Sequence, residues 1–241
     1  MAEQELTLLE QLEKESRAKQ AKFIGGIAAK LGRQEIAKKP VHPFRGAPDF
    51  WTQLEWSQEE RIERFMDNWQ SVGGHAFHFA TMEEAKQFIA ERALELEAKH
   101  IIRQNQPELN ELGLEEALPE VDIQVWNHNP AENWKAHAAG ADIGLVVVDH
   151  AIAYTGTITV LSSQDKGRSV SLLPTVMMAI IPVERLKTRM GEVMTHFDGA
   201  RREDLPAGIH FITGPSRSSD IENDLTIGVH GPGIVYALIV G

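Results

Sequence analysis

Two polar, glycine-bearing segments stand out as places where this chain could do chemistry. The first is Ala153-Tyr154-Thr155-Gly156-Thr157, followed by Lys166-Gly167-Arg168-Ser169. The second is Gly214-Pro215-Ser216-Arg217-Ser218-Ser219-Asp220-Ile221-Glu222, which leads into Gly228-Val229-His230-Gly231-Pro232. Each follows an apolar run that reads as a strand. Hydroxyls, glycines and a few cations at strand ends are what a small anion needs, because backbone N–H groups approach an anion where no side chain intervenes.

Each candidate also has a plain structural reading. Ser219 and Glu222 have capping-box spacing, which would open a helical turn whose free N–H groups attract an anion beside Ser216, Arg217 and Ser218. The alternative is a capped turn in which Arg217 pairs with Asp220 or Glu222. Tyr154, Thr155 and Thr157 surround Gly156 with hydroxyl donors, yet a glycine in a strand more often marks a bulge. Lys166 and Arg168 could clamp a phosphate or carboxylate, or simply form a solvated hairpin tip. His230, between Gly228 and Gly231, is a loop imidazole that could act as a base or an anion donor. Asp149 and His150 are adjacent on a strand, so they face opposite sides and make a doubtful pair.

Composition narrows the function classes. A formal charge of −11 argues against a nucleic-acid role, which needs a basic surface. No apolar run approaches the ~20 residues of a membrane span. The acidic start Met1-Ala2-Glu3-Gln4-Glu5 lacks the basic-then-apolar order of a signal peptide, so a cytoplasmic location is expected. The chain has no cysteine, which excludes thiolate nucleophiles, disulfides and a cysteine-ligated iron–sulfur cluster within it. Its ten histidines show no recognisable ligand spacing, so no intrinsic metal site is expected. Walker, Gly-x-Gly-x-x-Gly and Gly-x-Ser-x-Gly signatures are missing, and no cofactor is expected.

The elements that must position these residues follow from periodicity. Glu3 to Leu31 reads as a helix with apolar patches at Leu6, Leu9 and Leu12 and again at Phe23, Ile24, Ile27 and Leu31. The charged middle between the patches suits a helix that packs at its two ends on a partner chain. Lys38 to Pro48 reads as an extended linker. Capping boxes at Ser57–Glu60 and Thr81–Glu84 open two helices. Further helices are expected over Leu109–Leu118, Pro130–Ala139 and Val183–Met194. Strands are expected at Ala76–Ala80, His100–Arg103, Val121–Trp126, Ile143–Val148, Thr157–Leu161, Val176–Ile181, Ile209–Thr213 and Ile234–Val240.

The alternation predicts an α/β fold with a mixed, mostly parallel sheet flanked by helices. The helix-free stretch from Ile143 to Ile181 is expected to be antiparallel. Residues 1–48 are expected to form a helical arm and linker, and 49–241 the α/β domain. Ligands of open α/β sheets sit beyond the carboxyl ends of strands, so both polar segments are expected at one such edge.

Lys166-Gly167-Arg168-Ser169-Val170-Ser171-Leu172-Leu173-Pro174, Phe211-Ile212-Thr213-Gly214 through Glu222, and Gly228 through Pro232 together resemble the lactate utilization protein C family, the LUD-domain proteins. The resemblance runs from about Phe50 to Gly241. It implies a fold similar to that of sugar-phosphate isomerases and CoA transferases. It also implies a cytoplasmic role in oxidising L-lactate to pyruvate, beside partner subunits that carry iron–sulfur clusters. One departure stands out. The family usually has Ala-Glu-[Ser/Thr]-Gly-Thr where this chain has Ala153-Tyr154-Thr155-Gly156-Thr157, so a phenol replaces a carboxylate. A tyrosine with a pKa near ~10 does not serve as a base at neutral pH.

The expected function is therefore a non-redox subunit with a small-anion pocket at strand ends. The alternative is a stand-alone isomerase or acyl-transfer enzyme acting on a small phosphorylated or carboxylated metabolite. Pocket candidates are Tyr154, Thr155, Gly156, Thr157, Lys166, Arg168, Gly214, Ser216, Arg217, Ser218, Asp220, Glu222 and His230. A homo-oligomer through the N-terminal arm is a further expectation.

Overall fold

The computed structural model describes residues 7–34, 50–219 and 224–241. The expected linker, Lys38 to Pro48, lies outside them, as do Asp220 and Glu222. The chain divides into two units, Met1–Trp51 and Thr52–Gly241.

In the first unit, α1 spans Leu8–Lys30. Thr7 caps it with a reciprocal box: its hydroxyl accepts from the Glu10 amide, and its own amide donates to the Glu10 carboxylate. That satisfies two of the orphan donors at the helix start. A short turn, α2, spans Phe50–Gln53 across the boundary between the units.

The first full helix of the second unit is α3 (Gln58–Ser71), whose box at Ser57 and Glu60 is fully formed. Its Phe65 and Trp69 are completely buried. Truncating either to Ala would cost about 3–5 kcal/mol. The chain continues through β1 (His75–Phe79), α4 (Met82–Glu95), β2 (His100–Arg103), α5 (Pro107–Asn110), α6 (Leu114–Ala117), β3 (Asp122–Val125) and α7 (Trp134–Gly140). Next come β4 (Ile143–Val147), β5 (His150–Ile152), β6 (Thr157–Ser162), α8 (Ser169–Leu172), β7 (Val176–Pro182), β8 (Leu186–Lys187) and α9 (Met190–Met194). The last strands are β9 (Gly208–Ile212), β10 (Arg217–Ser218), β11 (Thr226–Ile227) and β12 (Ile234–Val240).

Six strands form the main sheet in the order β1-β12-β7-β4-β2-β3, with every neighbouring pair parallel. A second, four-stranded sheet has the order β8-β5-β6-β9. The antiparallel pairing expected after Ile143 is present, between β5 and β6 and between β6 and β9, but it belongs to this second sheet. Strands β4 and β7, at the two ends of that stretch, are parallel neighbours in the main sheet. All five residues of β4 are buried, as its unbroken apolar run requires of a strand covered on both faces. One face packs on Ala85, Ile89 and Ala93 of α4 and on Leu109 and Leu114 of α5 and α6. The other packs on α3, on Trp134 and Ala138 of α7, and on Ala151, Ile158 and Val160 of the second sheet.

Three expected helices come out differently. The stretch after Leu109 is two short helices, separated by Gly113 in the left-handed region at φ 62°. The helix expected from Pro130 begins at Trp134, where the Asn133 side chain caps it by accepting from the Ala136 amide. Val183 to Met194 is broken: a short turn follows Pro182, then β8 pairs with β5, and only Met190–Met194 is α-helical. Pairing with β5 captures Leu186, which is buried, and outweighs local helical periodicity there.

Candidate functional site

The carboxyl end of α3 organises the first cluster of polar residues. Asn68 donates from its amide to the carbonyls of Ala153 (2.8 Å) and Tyr154 (3.1 Å). Gly156 sits against the helix at φ 57°, and a Cβ there would stand 2.7 Å from the Trp69 backbone nitrogen. On the other side, Gly214 (φ 70°) lies against Val72, where a Cβ would meet its Cγ2 at 2.7 Å. The Arg217 guanidinium donates to the Val72 carbonyl. Both polar segments therefore grip one helix end.

Hydroxyls join the two segments directly. Thr155 Oγ1 lies 2.7 Å from Thr157 Oγ1, which lies 2.8 Å from Thr213 Oγ1. The Ser216 amide donates to the Pro232 carbonyl (2.9 Å), and Gly228 donates back to Ser216 (3.0 Å). The Gly228–Gly233 loop is tied in turn to Thr175 through the Gly233 amide. Thr175 and Gly233 immediately precede β7 and β12, so this cluster lies at the amino edge of the main sheet. A cavity of about 560 Å³ opens beside it, lined by Leu172–Thr175, Ile227–Gly231 and Gly233; exposed His230 is on its wall.

The edge differs from the sequence expectation for a topological reason. The strands preceding Tyr154 and Gly214 are β5 and β9, members of the second sheet rather than of the parallel one. The helical turn expected from Ser219 to Glu222 runs outside the described residues. Arg217 and Ser218 are extended and pair with Ile227 and Thr226.

Tyr154 is built into an aromatic stack. Its ring lies 5.9 Å from that of Trp56, nearly parallel, and Arg64 covers the Trp56 ring at 5.7 Å. A glutamate could not make this stack, so the exchange of carboxylate for phenol has a packing consequence.

Lys166 and Arg168 diverge and form no common clamp. Gly167 between them packs on the Trp126 indole. Exposed Arg168 precedes α8 and lies close enough to His210 to depress its basicity, after burial, the larger cause. His210 shares a 2.7 Å hydrogen bond with Ser162. Lys166 instead turns to the carboxyl edge of the main sheet, where it forms an ion pair with Asp149.

That carboxyl edge holds a second cleft, most of which the sequence did not reveal. Residues leaving β2 pass to β3 on one side, and residues leaving β4 pass to β7 on the other. The crevice between β2 and β4 is thus a topological switch point. A cavity of about 490 Å³ occupies it, lined by Asn105, Gln106, Glu108, Asp149, His150, Lys166 and Arg185 among others. Gln106 holds the Val147 backbone through both amide atoms, at 2.9 and 3.0 Å. Asp149 accepts from the Leu161 amide at 2.8 Å. Arg185 bridges the Val148 carbonyl (2.9 Å) and Glu108 (2.5 Å).

Burial would push the Glu108 carboxyl up. Its own backbone amide, Arg185 and the charge of Lys166 outweigh that and hold it below the ordinary carboxylate value. His150 stacks on His196 at 4.6 Å rather than meeting Asp149. Burial foremost, and then the neighbouring His196, hold its basicity below the ordinary imidazole value. The spacing of Asp149 and His150 argued against their pairing; nothing local to Glu108 or Gln106 pointed to the cleft.

Among the described residues, no three His, Asp or Glu side chains group as metal ligands, and no helix is long and apolar enough to cross a membrane.

Residues 62–240 match the family model described as LUD domain. A lactate utilization protein C from Halalkalibacterium halodurans is 35% identical over 215 residues, covering 87% of this chain and 92% of its own. One from Shouchella clausii is 34% identical, covering 87% and 92%. One from Bacillus subtilis is 28% identical, covering 88% and 92%. A solved DUF162 family protein from Deinococcus radiodurans is similar in fold, with a TM-score of 0.56 at 21% identity over 77% of this chain and 99% of that one.

Proposed function

We propose that this chain, which belongs to the LUD domain family, is the non-redox subunit of a cytoplasmic system that oxidises L-lactate to pyruvate, beside iron–sulfur subunits. The observation that carries the reading is the nearly end-to-end likeness to proteins named for lactate utilization. The lack of cysteine supports the non-redox part. A chain without thiolates cannot hold a cysteine-ligated cluster, so the electrons of lactate must leave through another subunit or a bound cofactor.

Within that role the amino-edge cluster takes the small anion. Arg217 is anchored by a neutral carbonyl, and among the described residues no carboxylate pairs with it; Asp220 and Glu222 lie outside them. The linked hydroxyls of Thr155, Thr157 and Thr213 supply neutral donors beside it. Charge-assisted bonds from a guanidinium to a carboxylate or phosphate are the strong ones.

The test is twofold. Purified chain with L-lactate and an artificial electron acceptor should show no lactate oxidation. A strain lacking the chain should lose growth on lactate and regain it when the chain is restored. Oxidation by the isolated chain, or normal growth without it, overturns the reading.

A second reading draws on the carboxyl-edge cleft. It makes the chain a stand-alone isomerase or acyl-transfer enzyme for a small phosphorylated or carboxylated metabolite. The switch-point position favours it. The charges weigh against it, because Lys166 and Arg185 are each already matched by a carboxylate. Isomerase or acyl-transfer activity of the purified chain on such a metabolite, lost in a folded variant without Lys166 and Arg185 but kept in Arg217→Ala, would select this second reading.

A further inference from the structure

We propose that α1 is a self-association helix, pairing antiparallel with α1 of a second copy of this chain. Its apolar side chains lie open: Leu8 is 71% exposed, Leu12 53%, Phe23 68% and Ile27 37%. Leu8 and Leu12 are four apart, as are Phe23 and Ile27. The eleven residues from Leu12 to Phe23 make about three turns at 3.6 residues per turn, which sets all four on one stripe.

Charge decides the occupant and its direction. The first half of the helix carries Glu10, Glu13 and Glu15 along with Lys14 and Arg17; the second carries only basic charge, at Lys19, Lys22 and Lys30. An antiparallel copy sets Leu8 against Ile27 and Leu12 against Phe23, and brings the half that holds all three glutamates opposite the half that holds only basic charge. A parallel copy would set like charges together, which is destabilising. The ion pairs within the helix, Glu13–Arg17 and Glu15–Lys19, are at least 62% exposed at every partner and so contribute little. Their charges are free to exchange partners across the seam. The proposal is independent of the lactate reading.

The chain's lack of cysteine provides a direct test. Full-length Leu12→Cys and Phe23→Cys variants are mixed and oxidised. An antiparallel pair yields the mixed 12–23 disulfide; 12–12 and 23–23 products in its place overturn the proposal. Light scattering of the unmodified chain should give a dimer. Leu12→Ser with Phe23→Ser should weaken it at least tenfold while the monomer stays folded, because both sites are exposed. Reversing Glu13 and Glu15 to Lys should weaken the dimer, and adding Lys19→Glu and Lys22→Glu should restore it. A chain that stays monomeric, or whose α1 is held by a different protein, overturns the proposal.

Discussion

At the amino edge of the parallel sheet, polar side chains are tied to backbone and to one another's hydroxyls; at the carboxyl edge they are tied into ion pairs. Arg217 donates to the Val72 carbonyl and Asn68 to two carbonyls of the Tyr154 turn. Lys166 and Arg185 instead meet Asp149 and Glu108. The first arrangement shapes a scaffold in which a cation meets a neutral carbonyl. The second cancels charge while fixing the walls of a cleft. Position relative to strand ends favours the carboxyl edge as a ligand site, whereas a guanidinium held by a neutral carbonyl favours the amino edge.

Breaking the scaffold should have the largest effect. Gly156→Ala places a Cβ against the Trp69 backbone from a left-handed conformation. It should cost about 2–4 kcal/mol, read from urea unfolding. A loss under about 1 kcal/mol would mean that the Tyr154 turn is not clamped to α3. At the other edge, Lys166→Met removes the partner of an Asp149 whose side chain is 17% exposed. It should cost about 1–3 kcal/mol. Adding Asp149→Asn should recover part of that, because the two residues act as one unit.

The same contrast explains what could be read from the chain. The amino-edge cluster announces itself because its parts are contiguous: Tyr154 to Thr157 and Gly214 to Ser218 are runs of small, hydroxylated and cationic residues. The strands around them are equally plain, and β2 and β12 begin and end where periodicity puts them. The carboxyl-edge cleft has no such run. Glu108 meets Arg185 across 77 positions, and Gln106 meets Val147 across 41. Their adjacency is created by sheet order, which no local pattern carries. The Val183–Met194 helix failed for a related reason: a two-residue strand docked on β5 interrupts a stretch with helical periodicity. The edge on which the amino cluster sits was hidden too, because a strand's sheet membership is not written in its residues.

Arg217→Ala sharpens the comparison with a smaller effect on stability. Its side chain is exposed and its bond to Val72 is replaceable by water, so the fold should lose less than about 1 kcal/mol. Growth on lactate should nonetheless fall. A variant that melts lower yet supports full growth would make Arg217 a structural clamp and remove it from the anion site.

The smallest expected effect is a pH dependence that belongs to the carboxyl-edge side. His150 lines the cleft there, and His210 meets Ser162, next to the loop that carries Lys166. Burial chiefly lowers the folded-state basicity of both below the ordinary value of ~6.5. Between the folded and unfolded values, the unfolded chain binds more protons. Stability therefore rises with pH through that window and falls as acid is added from neutrality. Glu108 has the same sign but a lower window: its depressed folded value gives stability present above the unfolded value of ~4.3 and lost below it. A mild shift, from about pH 7.5 to about pH 5.5, lies above the Glu108 window and reads the histidines. The melting temperature should drop over that shift. His150→Gln and His210→Gln should each flatten the drop, while Arg217→Ala, at the opposite edge, should leave it unchanged. An equal drop in all three variants would place the acid sensitivity elsewhere and dissolve this part of the contrast between the edges.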